Sequence, residues 1–395
     1  MRVVGRRSER TFPVLLIGMV LLGIGLTIPG VAWPEIAGDL NRPIAQLGLV
    51  SLAYGSGYTV ATLVGGAVAR RWSIGTILAG AAAMSATSLA LIALSPSWAV
   101  FLIAMFGYAF TGGTNDVASN TFVSIRRGTR SMGVLHGTFG VGTILGPLLV
   151  AATLALGGSW RTAFVAVGIG QLLYLTAILV YSRHASVPRQ DSPRGVDGLR
   201  ITKPLIWSLA VFFMYSGVGT GAGVWAFSYL TEYRSFGVAA GSFAVAAYWA
   251  GFTASRFSLG LIGDSIDPNR ILRWSTVATT IGLVALWWSP TQPIAVVALI
   301  FTGFAHGPVF PLEIVLTPRR FGTGHTANVI GFEMASANVG SALLPAAIGL
   351  FVAQWGLGAV LPTVIAITIG LTFCVEMLRR SSLHVERLNR EDLAL

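Results

Sequence analysis

Cysteine occurs once in this chain, at Cys374, and lysine once, at Lys203. A lone cysteine allows no internal disulfide, and its place in the last apolar run reads as a buried thiol. Charged side chains make up only 10% of the residues, against about 25% in an ordinary soluble domain. So little charge cannot cover 395 residues with polar surface, so lipid must be the solvent for much of the chain. Histidine is scarce too: five copies lie scattered over separate segments and make no metal-ligand set. There is no His-Glu-x-x-His, no Cys-His set and no closely spaced carboxylate pair. These absences argue against a metal centre and against an intramembrane enzyme. A receptor, expected to carry an added soluble domain, is set aside with them.

What is abundant is apolar sequence, with 54% hydrophobic residues and a mean hydropathy of +0.74. A spanning helix needs roughly 20 mostly apolar residues. Twelve such runs are read, at about 12–33, 44–69, 75–95, 98–124, 132–156, 162–182, 205–230, 239–262, 271–289, 294–317, 325–353 and 358–378. They are too long for barrel strands, which need only about ten alternating residues. The first run follows Arg2, Arg6, Arg7 and Arg10. It is too long for a secretory signal and lacks a small-x-small cleavage site, so it is read as a spanning helix.

The chain carries 26 Lys and Arg against 15 Asp and Glu, a net charge of +11. The arginines sit in short loops rather than on one folded basic face, so nucleic acid is not an expected partner. Their distribution instead orients the helices, because cytoplasmic loops are enriched in Lys and Arg. With the N-terminus in the cytoplasm, 22 of the 26 fall on the cytoplasmic side. Arg42, Arg161 and Arg234 lie outside, and Arg256 lies within a helix. The alternation never inverts, as a miscounted helix would force it to. The expected setting is a bacterial-type inner membrane with both termini in the cytoplasm.

The longest interior polar stretch, Arg183 to Lys203, is rich in Pro, Gly, Ser and Asp and reads as a solvated linker. It divides the chain into an N-terminal six-helix bundle (1–182), a cytoplasmic linker (183–204) and a C-terminal six-helix bundle with a short tail (205–395). The halves echo each other. Gly23-Ile-Gly25 with Trp33 recurs as Gly217-Val-Gly219 with Trp225. Arg126-Arg-Gly-Thr129 recurs as Arg319-Arg-Phe-Gly-Thr323, and Gly142-x-x-x-Gly146-Pro147 as Gly340-x-x-x-Leu344-Pro345. Three matches in order at offsets of about 192–198 residues argue for duplication, which in membrane proteins marks alternating-access transporters.

This architecture, with Gly260-Leu-Ile-Gly-Asp264 after the eighth run, resembles the major facilitator superfamily and its loop motif. The first-half copy departs from the motif, with Arg70 and Arg71 where an aspartate is usual. Within the superfamily, three stretches resemble the fucose permease and glucose/mannose–proton symporter branch. They are Gly112-Gly-Thr-Asn-Asp116-Val-Ala-Ser-Asn120, Leu135-His136-Gly-Thr-Phe-Gly140 and Gly303-Phe-Ala-His306-Gly-Pro308-Val-Phe-Pro311. Trp225-Ala-Phe-Ser-Tyr229 fits as well, but where the branch usually has a glutamate this chain has Gly219. The resemblance implies an all-α integral membrane fold of twelve helices in two pseudo-symmetric bundles, and proton-coupled sugar transport.

Ionisable groups at bilayer depth are costly, so each is a functional candidate. Asp116 is the leading candidate for proton coupling, with Asn120 one turn on along the same helix face and His136 at similar depth as a possible relay. Asn115, Asn120, His306 and Asn338 are candidate solute contacts, joined by the aromatics Trp33, Tyr54, Trp225 and Tyr229. An aromatic plate beside Asn, Asp and His suits a sugar, whose C–H face lies on a ring while its hydroxyls meet polar groups. Arg256 and Glu333, at similar depth, are candidate gating or structural groups, paired with each other or with loop groups. Arg71 and Asp264 are candidate gating residues in the loops, and Glu313 is expected to be solvated at a helix end.

The expectation is a secondary transporter of a monosaccharide or related polyol, with proton-driven efflux of amphipathic compounds as the alternative. No cofactor is expected beyond a proton gradient. The expected partners are the small-molecule substrate and membrane lipid, and the expected state is a monomer.

Overall fold

The structure, a computed structural model, describes residues 2–126, 129–182, 185, 201–262, 267–322 and 326–392. Among these residues it is helical throughout, with no strand. The first half comprises α1 (Arg2–Val31), the short α2 (Trp33–Asp39), α3 (Leu47–Arg71), α4 (Ile74–Ala93), α5 (Trp98–Arg126), α6 (Thr129–Ala155) and α7 (Trp160–Ala177). The second comprises α8 (Lys203–Ser228), α9 (Val238–Ile262), α10 (Pro268–Trp287), α11 (Gln292–His306), α12 (Val309–Phe321), α13 (Thr326–Trp355) and α14 (Val360–Asp392). Wider π-type turns extend α7 to Ser182 and α8 to Tyr233.

The ends follow from local chemistry. Ser73 Oγ, Thr202 Oγ1 and Asp267 Oδ1 accept from the first-turn N–H groups of α4, α8 and α10, the usual service of an N-cap. The tenth apolar run is broken where the sequence places Gly307-Pro308, dividing α11 from α12. Among the described residues, nine helical segments are long and apolar enough to cross a membrane. The helices that fall short are α5, α9 and α10, and the first two carry Asn115, Asp116 and Asn120 and Arg256. Their lower hydropathy comes with the groups of chemical interest.

The same packing pairs occur in both halves. α1 lies on α6 as α8 lies on α13, α3 on α5 as α9 on α11, and α4 on α7 as α10 on α14. The repeated glycines explain how closely. A Cβ on Gly142 would fall 2.1 Å from the Val20 carbonyl of α1, and one on Gly340 2.0 Å from the Phe213 carbonyl of α8. Small residues thus let the two backbones meet at equivalent points.

The halves meet through α3 on α13, α6 on α9 and α1 on α8. At the end opposite the termini they are sealed backbone to backbone. A Cβ on Gly30 would lie 2.8 Å from the Val224 carbonyl, and one on Gly48 3.0 Å from the Ala346 carbonyl. Nearer the terminus end, Gly133 and Gly331, equivalent in the repeat, have open space around them.

Of the linker 183–204, residues 183–184 and 186–200 lie outside the described residues, and so does Asp264.

Candidate functional site

Between the halves, on the midplane side of the seal, lies a cavity of about 270 Å³. The first half supplies Tyr54, Tyr58 and Phe139 to its wall, and the second Tyr215, Trp249 and Phe252. Among these rings sit a few polar groups, chiefly Arg256, His306 and Asn338. A largely apolar wall with a few placed polar groups is the usual make-up of a small-molecule site.

The polar cluster is organised by the break in the tenth span. Pro311 has no N–H to offer the Gly307 carbonyl four residues earlier, so that carbonyl has no helical donor. Arg256 Nε donates to it at 3.3 Å. Arg256 Nη2 donates to Tyr215 Oη at 3.1 Å, and its guanidinium lies 4.3 Å over the Phe252 ring. Tyr215 in turn stacks on His306, centroids 4.4 Å apart and planes 17° from parallel. His306 is fully buried, and neither ring nitrogen makes a hydrogen bond of good geometry, the Tyr215 backbone giving only a weak polar contact. A Cβ on Gly219 would lie 2.9 Å from His306 Nε2. The position where the resembled branch carries glutamate therefore borders this imidazole.

Asn338 joins the halves: its Nδ2 donates to Thr62 Oγ1 at 3.1 Å, linking α13 to α3. Asp116 stands one residue behind the wall. Tyr58 Oη, at the wall, donates to Asp116 Oδ2 at 2.5 Å, and Asn120 Nδ2 donates to Asp116 Oδ1 at 2.7 Å. The i,i+4 spacing of Asp116 and Asn120 thus appears as a direct contact. His136, exposed on α6, lies within electrostatic reach of both Asp116 and Arg256.

Several residues singled out from sequence are elsewhere. Asn115 faces a separate polar cavity of about 20 Å³ beside Gln171 and Ser85, where its Oδ1 accepts from Tyr174 Oη at 2.8 Å. Trp33 and Trp225 are fully buried and do not line the central cavity. Their indole N–H groups donate to the Ile44 and Pro345 carbonyls at 2.7 and 3.0 Å. Tyr229 packs on Tyr233 and meets Arg234 away from the cavity. Arg71 is exposed at the end of α3.

Of the two arrangements open to Arg256 and Glu333, pairing with each other does not occur. Glu333 instead accepts from Ser208 Oγ and Thr317 Oγ1, tying α13 to α8 and α12. Glu313 is buried rather than solvated, in an ion pair with Arg320.

Tyr215, Phe252 and Phe310 are wall residues that the sequence reading passed over. A signal existed for Tyr215: tyrosine is expected at membrane interfaces, and this one lies in the middle of an apolar run. The two phenylalanines carry no such signal among 21 in the chain.

The family model described as Major Facilitator Superfamily matches residues 15–345 and 226–392. An uncharacterized MFS-type transporter of Yersinia pestis is 26% identical over 341 residues, covering 84% of this chain and 86% of that one. The glucose/mannose transporter GlcP of Bacillus subtilis is 19% identical, covering 91% and 90%. The crystal structure of the nucleoside transporter NupG superposes with a TM-score of 0.79 at 14% identity, covering 94% and 99%. At that identity the likeness is one of fold.

Proposed function

The chain belongs to the Major Facilitator Superfamily, and on that footing we propose that it carries a monosaccharide-sized polyhydroxylated solute by proton-coupled alternating access. The observation that carries the reading is the central cavity, with ring faces beside the hydroxyls of Tyr54 and Tyr58 and the Asn338 amide. Rings suit the C–H faces of a pyranose, and the amide and hydroxyl groups suit its hydroxyls. The similarity to GlcP supports the same class.

In the proposed cycle residues 1–182 and 205–395 rock about the cavity, with the seal at Gly30 and Gly48 as the barrier of this state. The loop arginines support placing the terminus end in the cytoplasm of a bacterial-type inner membrane, so that this state faces inward. Asp116 is the proposed proton carrier. It reports on the cavity through Tyr58, whose hydroxyl is shared between the carboxylate and the wall.

The test is uptake into proteoliposomes of hexoses, pentoses, polyols and sugar acids, with and without an inward proton gradient, for the wild type and Asp116→Asn. Gradient-driven accumulation that Asp116→Asn abolishes is the expected result. Failure of every polyhydroxylated compound to move would overturn the solute class.

A further inference from the structure

The wall of the central cavity carries one charged side chain, Arg256, and no aspartate or glutamate among the described residues. Every described carboxylate at comparable depth is otherwise engaged: Asp116 with Tyr58 and Asn120, Glu333 with Ser208 and Thr317, and Glu313 with Arg320. Arg256 forms no ion pair with a described residue and donates only to two neutral oxygens, Gly307 O and Tyr215 Oη. A guanidinium has five N–H donors, so donors on Nη1 and Nη2 remain to be used.

While the cavity holds water this charge is solvated. When the protein closes around a solute, water leaves and the lone cation needs a partner, because an unpaired charge in low dielectric is strongly disfavoured. A neutral sugar cannot supply one. A carboxylate can, and the planar fork of arginine matches it with two parallel hydrogen bonds. The fork is held in place on three sides, by the Gly307 carbonyl, the Tyr215 hydroxyl and the Phe252 ring face. It is therefore presented to the cavity with little freedom left to lose. One cation without a second beside it suits one negative charge rather than the two of a phosphomonoester.

We infer that the solute is a sugar acid, a polyhydroxylated monocarboxylate whose carboxylate docks on Arg256 while its hydroxyls meet Asn338 and the tyrosines. This rests on the central cavity being the solute site and sharpens the solute class proposed for it.

The experiment is a panel of uptake and competition measurements in proteoliposomes with D-glucose, D-gluconate, D-glucuronate, glucose 6-phosphate and benzoate. It uses the wild type, Arg256→Gln and Arg256→Lys, each checked for folding by its melting temperature in detergent. The expected result is at least a tenfold preference for gluconate or glucuronate over glucose in the wild type. Arg256→Gln is expected to abolish that preference, and Arg256→Lys, which keeps the charge but not the fork, to retain part of it. Transport of glucose equal to or better than the acids would overturn the inference and leave the polyol reading standing. Arg256-dependent movement of benzoate alone, with no polyhydroxylated compound moving, would overturn both the sugar-acid inference and the polyol reading. Preference for the 6-phosphate would overturn the single-charge assignment. Should both variants fail to fold, the preference order of the wild type decides by itself.

Discussion

Arg256 Nε lies 3.3 Å from the carbonyl oxygen of Gly307, the carbonyl that Pro311 leaves without a helical donor. A proline on one helix thereby sets the position of a charge carried by another. Pro311→Ala supplies an N–H able to close the i→i−4 bond and compete with Arg256 for that oxygen. The variant is expected to fold about as well as wild type, since Pro311 lies in the first turn of α12, where proline and alanine are both tolerated. Its apparent affinity for solute is expected to fall severalfold with little change in maximal rate. Uptake kinetics separate the two, and an unchanged KM would show that Arg256 keeps its place without the free carbonyl.

Much of this arrangement was legible from composition and spacing. The helices follow apolar length, the duplication follows ordered motifs, and the Asp116–Asn120 contact follows from a four-residue spacing on one helix. What the sequence does not carry is the rotation of each helix about its axis. Trp33 and Trp225 therefore looked like cavity aromatics, whereas each spends its indole N–H on a carbonyl of a neighbouring segment. Arg256 and Glu333 share a depth, but their side chains turn to different neighbours, one to the cavity and one to Ser208 and Thr317. Tyr215 stands out in the sequence only as a tyrosine in the middle of an apolar run; its link from Arg256 to His306 emerges once three helices are placed together.

Glycine spacing makes a paired prediction about stability. Gly142→Ala puts a methyl group 2.1 Å from the Val20 carbonyl, where backbone must move. It is expected to destabilise by a few kcal/mol, in the range of an overpacked core. Gly133→Ala on the same helix meets nothing within 4 Å and is expected to be neutral or to stabilise by up to ~1 kcal/mol through helix propensity. Melting temperatures in detergent measure both. Equal behaviour of the two would show that the α1–α6 contact is looser than described.

Asn338 and Thr62 are expected to help hold the sealed state, since their hydrogen bond crosses between the halves. Asn338→Ala removes about 1 kcal/mol from that state, enough to raise the alternative about fivefold. The readout is maleimide labelling of Ser51→Cys, a wall residue, applied from the sealed side in a Cys374→Ser background. A labelling rate unaffected by Asn338→Ala would mean that the bond does not bias the equilibrium.

At the sealed end, the Arg161 guanidinium bonded to Asp39, helped by the Trp160 indole, holds the Asp39 carboxyl below its ordinary value against a smaller opposing effect of burial. A carboxyl depressed in the folded state stabilises above its unfolded pKa of about 3.9, and that contribution is lost as pH falls through the folded value. Both partners are partly exposed, so the effect is small, on the order of 0.5 kcal/mol. Arg161→Ala should therefore lower the melting temperature slightly at pH 6, with the difference from wild type vanishing toward pH 2. A difference that persists in acid would assign the loss to packing of Arg161 over the Trp160 ring, 4.3 Å away.

Tyr58 offers the sharpest view of coupling, because its hydroxyl is at once a wall group and the donor to Asp116 at 2.5 Å. Tyr58→Phe keeps the ring and removes only that bond, leaving Asp116 held by Asn120. If the hydroxyl connects solute occupancy to the carboxylate, exchange of labelled for unlabelled solute should continue near the wild-type rate. Accumulation driven by a proton gradient should fall tenfold or more. Asp116→Asn should show the same split more completely, since it removes the protonatable group itself. Loss of exchange and accumulation together in Tyr58→Phe would instead make the hydroxyl a solute contact. Wild-type accumulation in both variants would remove Asp116 from the coupling step and turn attention to His136, the other titratable side chain within electrostatic reach of both Asp116 and Arg256.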